Sequence, residues 1–174
     1  MNYQKNSEIN HKSIYWIIGG ITAIAIIAIG FVAFSESKSQ AKVTKYDATS
    51  ISRPIAFIAF NFTDVGKIKI QDEKIAEFTI ENKGDQPLIL YNITSSCGCT
   101  IGTVTINGQK SPKFTMHVKN DWTGTLLPSE KAIVTLTYNP SSMPVKGDVT
   151  RAIYVSTNDP YNKDLTFSIK AFVE

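Results

Sequence analysis

The sequence predicts an all-β protein, an antiparallel β-sandwich of seven to nine strands, preceded by one N-terminal transmembrane helix. Three observations carry this expectation. An uncharged apolar run, "SIYWIIGGITAIAIIAIGFVAFS", fills residues 13–35. From residue 74 onward, apolar and polar residues alternate with the period of two that half-buried strands require. Clusters of Gly, Pro, Asn and Asp separate the alternating runs, and no amphipathic helical pattern intervenes. A small barrel would show the same alternation and remains the alternative architecture.

The first 12 residues read as a cytosolic leader and residues 13–35 as the anchor. About 20 apolar residues in a helix cross a hydrocarbon layer roughly 30 Å thick. Tyr15 and Trp16 stand at one end of the run, where amphipathic rings favour the headgroup level. A cleaved signal peptide would also have a basic start, and Ala33 and Ser35 offer a small-residue cleavage pattern. The apolar run is longer than the usual signal-peptide middle, which favours an uncleaved anchor. Positive charge is nearly balanced across it, with Lys5 and Lys12 on one side and Lys38, Lys42 and Lys45 on the other. The expected arrangement is the commoner one for a single early helix: a short leader inside and the C-terminal domain extracytoplasmic, on the periplasmic or cell-surface side.

Residues 36–53, "ESKSQAKVTKYDATSISR", are polar and without periodicity, and read as a stem able to reach about 60 Å when extended. The domain is expected over 54–174. Of 18 basic and 15 acidic residues, six and three lie within 1–53, which leaves twelve of each sign beyond. A charge-balanced domain without a basic stripe lacks the footprint that phosphate neutralisation needs, so nucleic acid is excluded as a partner.

Within the domain, "KIAEFTIEN" (74–82) places Ala76, Phe78 and Ile80 on one face. "AIVTLTYNP" does the same with Ala132, Val134, Leu136 and Tyr138, "VTRAIYVSTND" with Val149, Ile153 and Val155, and "LTFSIKAFV" with Leu165, Phe167, Ile169, Ala171 and Val173. Turns are expected at 82–87, at Asn107–Gly108, and over 127–130, 139–148 and 158–164.

Together, "AEFTIENKGDQPLILYNITSSCGCT", "LPSEKAIVTLTYNP", "KGDVTRAIYVSTNDP" and "LTFSIKAFV" resemble the bacterial domain family DUF1573. Its members show an F-x-N-x-G-x-x-P-L-x-I run leading into S-C-G-C-T. The resemblance covers roughly residues 57–174 and implies an immunoglobulin-like sandwich. It implies no biochemical activity, because the family has none settled. This chain departs from the pattern twice: Ser129 stands where the family's turn usually has Gly, and a segment of about Thr103 to Thr125 is inserted after the cysteine motif.

Cys97 and Cys99, the only cysteines, flank Gly98, and three readings stand. Residues i and i+2 of an extended strand lie about 6.6 Å apart at Cα, near the upper limit for a disulfide, so a bond or redox pair needs a bend that Gly98 would allow. Such a bond would crosslink almost no chain, which suits redox chemistry better than stabilisation. Alternatively the two sulfurs serve as metal ligands with His117, the one histidine after the anchor. Met116 would assist and Met143 is a more remote candidate. Cu(I), content with two or three soft ligands, fits that inventory better than zinc. The membrane-anchored copper-delivering assembly factor of cytochrome oxidase combines the same parts, an analogy at the level of fold alone. The third reading is packing, two small buried residues at a strand end.

Catalysis finds no base besides His117 and no nucleophile motif. Trp122 and Phe114 in the inserted segment either anchor a protein contact or cover an open sheet edge. The expected function is a non-catalytic binding or assembly module acting on a protein partner through sandwich edges and loops. The alternative is a copper or thiol-redox chaperone acting through Cys97 and Cys99.

Overall fold

The computed structural model describes Tyr15 and residues 17–26, 43–116 and 120–174. Of the N-terminal unit, up to Gln40, the described residues are all helical. Among the described residues no helix is long and apolar enough to cross a membrane. The anchor expected over 13–35 lies half outside the described residues, and the leader over 1–12 lies wholly outside them.

The second unit, Ala41–Glu174, holds the strands. In chain order they are β1 (Ala56–Ile58), β2 (Phe62–Ile68), β3 (Lys74–Asn82), β4 (Leu88–Ser95), β5 (Thr100–Ile106), β6 (Gln109–Lys110), β7 (Gly124–Leu126), β8 (Lys131–Tyr138), β9 (Gly147–Thr157) and β10 (Asp164–Val173). They form two five-stranded sheets, ordered β1-β3-β8-β5-β6 and β2-β10-β9-β4-β7.

Two expectations need correction. Ten strands are present among the described residues, where seven to nine were expected, because β1, β6 and β7 span only two or three residues and cannot display an alternation. Nor is the sandwich wholly antiparallel, since β2 pairs with β10 in parallel. These strands are separated by most of the domain, so no hairpin dictates their relative direction. β1 and β2 sit at the edges of opposite sheets, and the chain changes sheet between Ile58 and Phe62.

The inward faces predicted from alternation form the core. Phe78 and Ile80 of β3 and Val134 and Leu136 of β8 are fully buried opposite Ile153, Phe167 and Ile169 of the second sheet. The Phe78 and Phe167 rings meet with centroids 5.3 Å apart. At Gly102 of β5 a Cβ would collide with the side chain of Ile153, so the absence of a side chain lets the layers meet there.

One end of the sandwich is held by buried polar side chains. Asn82, fully buried, donates from Nδ2 to the carbonyls of Gln86 (2.8 Å) and Leu126 (2.9 Å), and its Oδ1 accepts from the N–H groups of Gly84 (2.9 Å) and Ile55 (3.3 Å). All of its hydrogen-bonding capacity is used. Gly84 has no room for a side chain, since a Cβ would lie 2.6 Å from the nitrogen of Ile55. Asn158 bridges to the start of β4: its Oδ1 accepts from Ile89 N–H (2.8 Å) and its Nδ2 donates to Pro87 O (3.2 Å).

The Asp159 carboxylate, fully buried, accepts from Ala56 N–H (2.9 Å), Tyr161 N–H (3.0 Å) and Asn162 Nδ2 (2.9 Å), with the Arg53 guanidinium at 3.7 Å. Burial acts to raise its pKa, but the hydrogen bonds from Asn162, Tyr161 and Ala56 outweigh it and hold the carboxyl below its ordinary value. The residues leading into β1 also touch this end. Ser52 Oγ accepts from Gln86 Nε2 (2.7 Å), and Ala48 O accepts from the Tyr161 hydroxyl (3.0 Å).

The turn at 127–130 closes back onto Asn82, whose carbonyl accepts from Ser129 N–H (2.8 Å). Ser129 has φ 68°, in the left-handed region, which explains why glycine is usual there in the family that the sequence resembles.

Both the buried carboxylate and the strained turn can be tested by substitution. Because the folded-state pKa of Asp159 is depressed, its stabilisation is present above the unfolded value near 4 and is lost as pH falls through the lower folded value. Asp159→Asn is therefore expected to cost about 1–3 kcal/mol at neutral pH and to flatten the decline in stability below about pH 4, read by urea titration across pH. Ser129→Gly is expected to stabilise by up to about 1 kcal/mol, and Ser129→Val to destabilise by a similar amount, in thermal melts.

Candidate functional site

The cysteine motif lies at the opposite end of β4, in the loop from Ser95 to Thr100. Cys97 and Cys99 are joined by a disulfide, with their Cα atoms 5.3 Å apart. The bend anticipated for an i, i+2 bond is present as a turn at Gly98 and Cys99. Gly98 is not among the glycines with positive φ, so the bend does not draw on the left-handed freedom expected of it. A Cβ there would make ordinary contact, 3.7 Å from Met143 Sδ.

The two sulfurs differ in setting. Cys99 belongs to the hydrophobic core and is 2% exposed, whereas Cys97 is only partly buried and packs on the core's margin. The fully buried hydroxyl of Thr100 lies near both, with Oγ1 at 3.2 Å from Cys97 Sγ and 3.9 Å from Cys99 Sγ.

The loop backbone has its own fastenings. The carbonyl of Cys97 accepts from Ser95 Oγ (2.9 Å) and Thr100 N–H (3.2 Å), and the carbonyl of Cys99 accepts from Asn139 N–H (2.9 Å). Ser96 N–H donates to Ala152 O, and Ala152 N–H donates to Ser96 Oγ, both at 2.9 Å. Close by in register, Tyr138 pairs with Thr100 across β5 and β8. Its hydroxyl is buried without a hydrogen-bond partner, and the Arg151 guanidinium lies 5.6 Å from its ring.

Of the other residues considered as ligands, His117 lies outside the described residues. Met116 is about half exposed beyond Phe114, and Met143 is likewise half exposed, beside Gly98. Met143, expected to be the more remote candidate ligand, thus lies beside the cysteine loop. Antiparallel pairing of Thr100 with Tyr138 brings the residues that follow β8 alongside those that precede β5, and cross-strand register cannot be read from one chain's periodicity. Among the described residues no group of three or more His, Cys, Asp or Glu side chains could hold a metal ion. With both sulfurs bonded to each other, neither is available as a thiolate, so a Cu(I) site would require two-electron reduction first.

The segment expected as an insertion over Thr103 to Thr125 divides. Thr103–Ile106 continue β5 and pair with β8 through to Ala132, so this part is ordinary sheet. Beyond it the chain crosses from the β6 edge of one sheet to β7 on the edge of the other, carrying Phe114 and Trp122, whose ring centroids lie 5.5 Å apart. Phe114 is 1% exposed and exchanges both backbone hydrogen bonds with Gly102, at 2.9 and 2.8 Å. Trp122 packs on the core, so these aromatics close that flank. A cavity of about 370 Å³ remains beside them, lined among others by Asn107, Lys110, Trp122 and Thr125.

No curated protein matches the chain. Among solved structures it is similar to a protein of unknown function from Porphyromonas gingivalis, with 16% identity and a TM-score of 0.53, over 75% of this chain and 52% of that one. The chain thus spans about half the length of that relative, and the likeness is one of fold. It is also similar to a PapD-like domain of human CEP192 (12% identity, TM-score 0.45, 75% and 98% covered). A further likeness is to the CsuC–CsuE chaperone–subunit complex of Acinetobacter baumannii (14%, 0.38, 69% and 52%). Residues 58–119 match the model of the family described as a protein of unknown function (DUF1573), so the resemblance drawn from the asparagine–glycine–proline run and the cysteine motif holds over that segment.

Proposed function

We propose that the chain is a membrane-anchored, extracytoplasmic binding or assembly module that engages a protein partner through the edges of an immunoglobulin-like sandwich. The observation that carries this reading is the flank formed by β1 and β2. These strands are the free edges of the two sheets, and the stretch they share leaves Phe57, Phe60 and Phe62 exposed by 41, 56 and 51%. Aromatic side chains beside an unpaired strand suit capture of an extended polypeptide, with backbone pairing supplying affinity and side-chain contacts selectivity. Gly66 and Lys67 blunt the far half of β2 against indiscriminate pairing, while the end that carries Phe62 has the single charge of Asp64.

Anchoring is supported by the helical residues 17–26, where Ile17, Ile18, Ile21, Ile24 and Ile26 are all more than half exposed. A helix apolar on all sides suits lipid. The Thr22 hydroxyl bonds back to the carbonyls of Ile18 and Gly19 at 3.0 and 2.9 Å, which satisfies a polar group where water is absent. A disulfide accords with an oxidising compartment outside the cytosol.

Two measurements test this reading. A C-terminal reporter that matures only outside the cytosol is expected to be active, with the fusion resisting alkaline extraction from membranes. A photo-crosslinker at position 62 of the full chain is expected to yield a discrete adduct with one exported protein that is absent when it is placed at Gln109 on the opposite flank. A cytosolic reporter signal, or indistinguishable crosslinking from both flanks, overturns the proposal.

A further inference from the structure

We propose that the Cys97–Cys99 pair is a thiol–disulfide exchange centre, handing its disulfide to a dithiol on another polypeptide, with Cys97 as the sulfur that is attacked. This activity stands apart from partner capture at the β1–β2 flank.

The bond contributes little to the fold. It spans a sequence separation of two, so it removes almost no loop entropy from the unfolded chain. The loop is held instead by the hydrogen bonds from Ser95, Thr100 and Asn139 to the cysteine carbonyls and by the reciprocal pair between Ser96 and Ala152. Opening the bond leaves those fastenings in place. The two thiols then remain within reach of each other, and the pair can cycle without unfolding.

Burial supplies a direction. Cys97 lies at the margin of the core and Cys99 inside it, so an incoming thiolate reaches Cys97 and Cys99 is the leaving group. A thiolate leaving into an apolar interior is disfavoured unless a donor meets it. Thr100 can supply that donor, because its buried hydroxyl lies within reach of both sulfurs. Met143, 50% exposed, adds an adaptable apolar contact beside the loop for an unfolded client segment.

The steps balance. A client thiolate attacks Cys97 Sγ, the Cys97–Cys99 bond breaks, and Cys99 departs with the electron pair as a thiolate. The client's second thiolate then attacks the client sulfur of the mixed disulfide and releases Cys97. The client loses two electrons, the pair gains them, and the two thiol protons of the client end on Cys97 and Cys99.

The full chain in detergent is mixed with a reduced two-cysteine peptide, or with glutathione alone, then acid-quenched, alkylated and weighed by mass spectrometry. One peptide disulfide should form for each protein pair reduced. Thr100→Val is expected to slow transfer about three- to tenfold, with Thr100→Ser restoring it. With oxidised glutathione, the Cys99→Ser variant should form an adduct at Cys97 about tenfold or more faster than Cys97→Ser does at Cys99. The reduced wild type should melt within a few degrees of the oxidised form. A peptide that stays reduced, exchange with glutathione alone, equal reactivity of the two cysteines, or unfolding on reduction would each overturn the proposal.

Discussion

Wherever the chain passes between the two sheets it leaves the ladders that satisfy its backbone, and the interior offers no water in exchange. Asn82, Asn158 and Asp159 resolve this at one end of the sandwich, each pairing backbone groups from segments far apart in sequence. A buried carboxylate is tolerable there only because three donors and a nearby guanidinium meet it. The strings "NKGDQP" and "STNDP" are therefore structural. Gly84 admits the backbone of Pro54 and Ile55, and Asn82 ties that crossing to β7. Of the positions that carry the family resemblance, Ile80 (where the motif has Phe), Asn82, Gly84 and Leu88 are accounted for by packing and hydrogen bonding. The fold uses Cys99 as a small core residue, and its bond to Cys97, two positions away, closes almost no loop.

The two ends of the sandwich are separable. β4 begins at Leu88 beside the asparagine clamp and ends at Ser95 beside the disulfide. Eight residues of strand span about 25 Å, well beyond the distance over which substitutions usually couple. Stability at the clamp and reactivity at the loop can thus vary independently. The loop is supported by hydrogen bonds that do not involve sulfur, as the proposed exchange at Cys97–Cys99 requires.

The longer strands were legible because their alternation is long and their inward faces are uniformly apolar: β3, β8, β9 and β10 lie within one or two residues of the runs read from sequence. β1, β6 and β7 were not, being too short to carry a period, and Gly66 interrupts the pattern of β2. Asp159 read as a turn residue before proline, which it is. Its burial depends on Ala56, more than a hundred positions earlier, and no local pattern encodes that. The cysteine pair is plain in the sequence, but of the two residues that shape its setting Thr100 carries no signal and Met143 reads only as a remote candidate ligand. Thr100 is one of many threonines, and Met143 comes near only through the register of β5 with β8. Alternation records which face a residue takes, and the site depends on which strand lies next to which.

The flanks of the sandwich are treated unequally. On the β6–β7 side the chain crosses with Phe114 and Trp122, burying the first and packing the second against the core. On the β1–β2 side aromatic residues of comparable size remain in water, although the ring of Phe60 lies within 5.9 Å of the buried Phe78. Covering an edge is within this chain's means, as the first flank demonstrates. Exposed apolar surface beside an unpaired strand lowers solubility and invites association. Within the domain that cost is reduced by Lys83 Nζ, 3.4 Å from the centre of the Phe57 ring, and by the contact of Phe60 with Phe78, and the partner proposed for that flank would offset the rest.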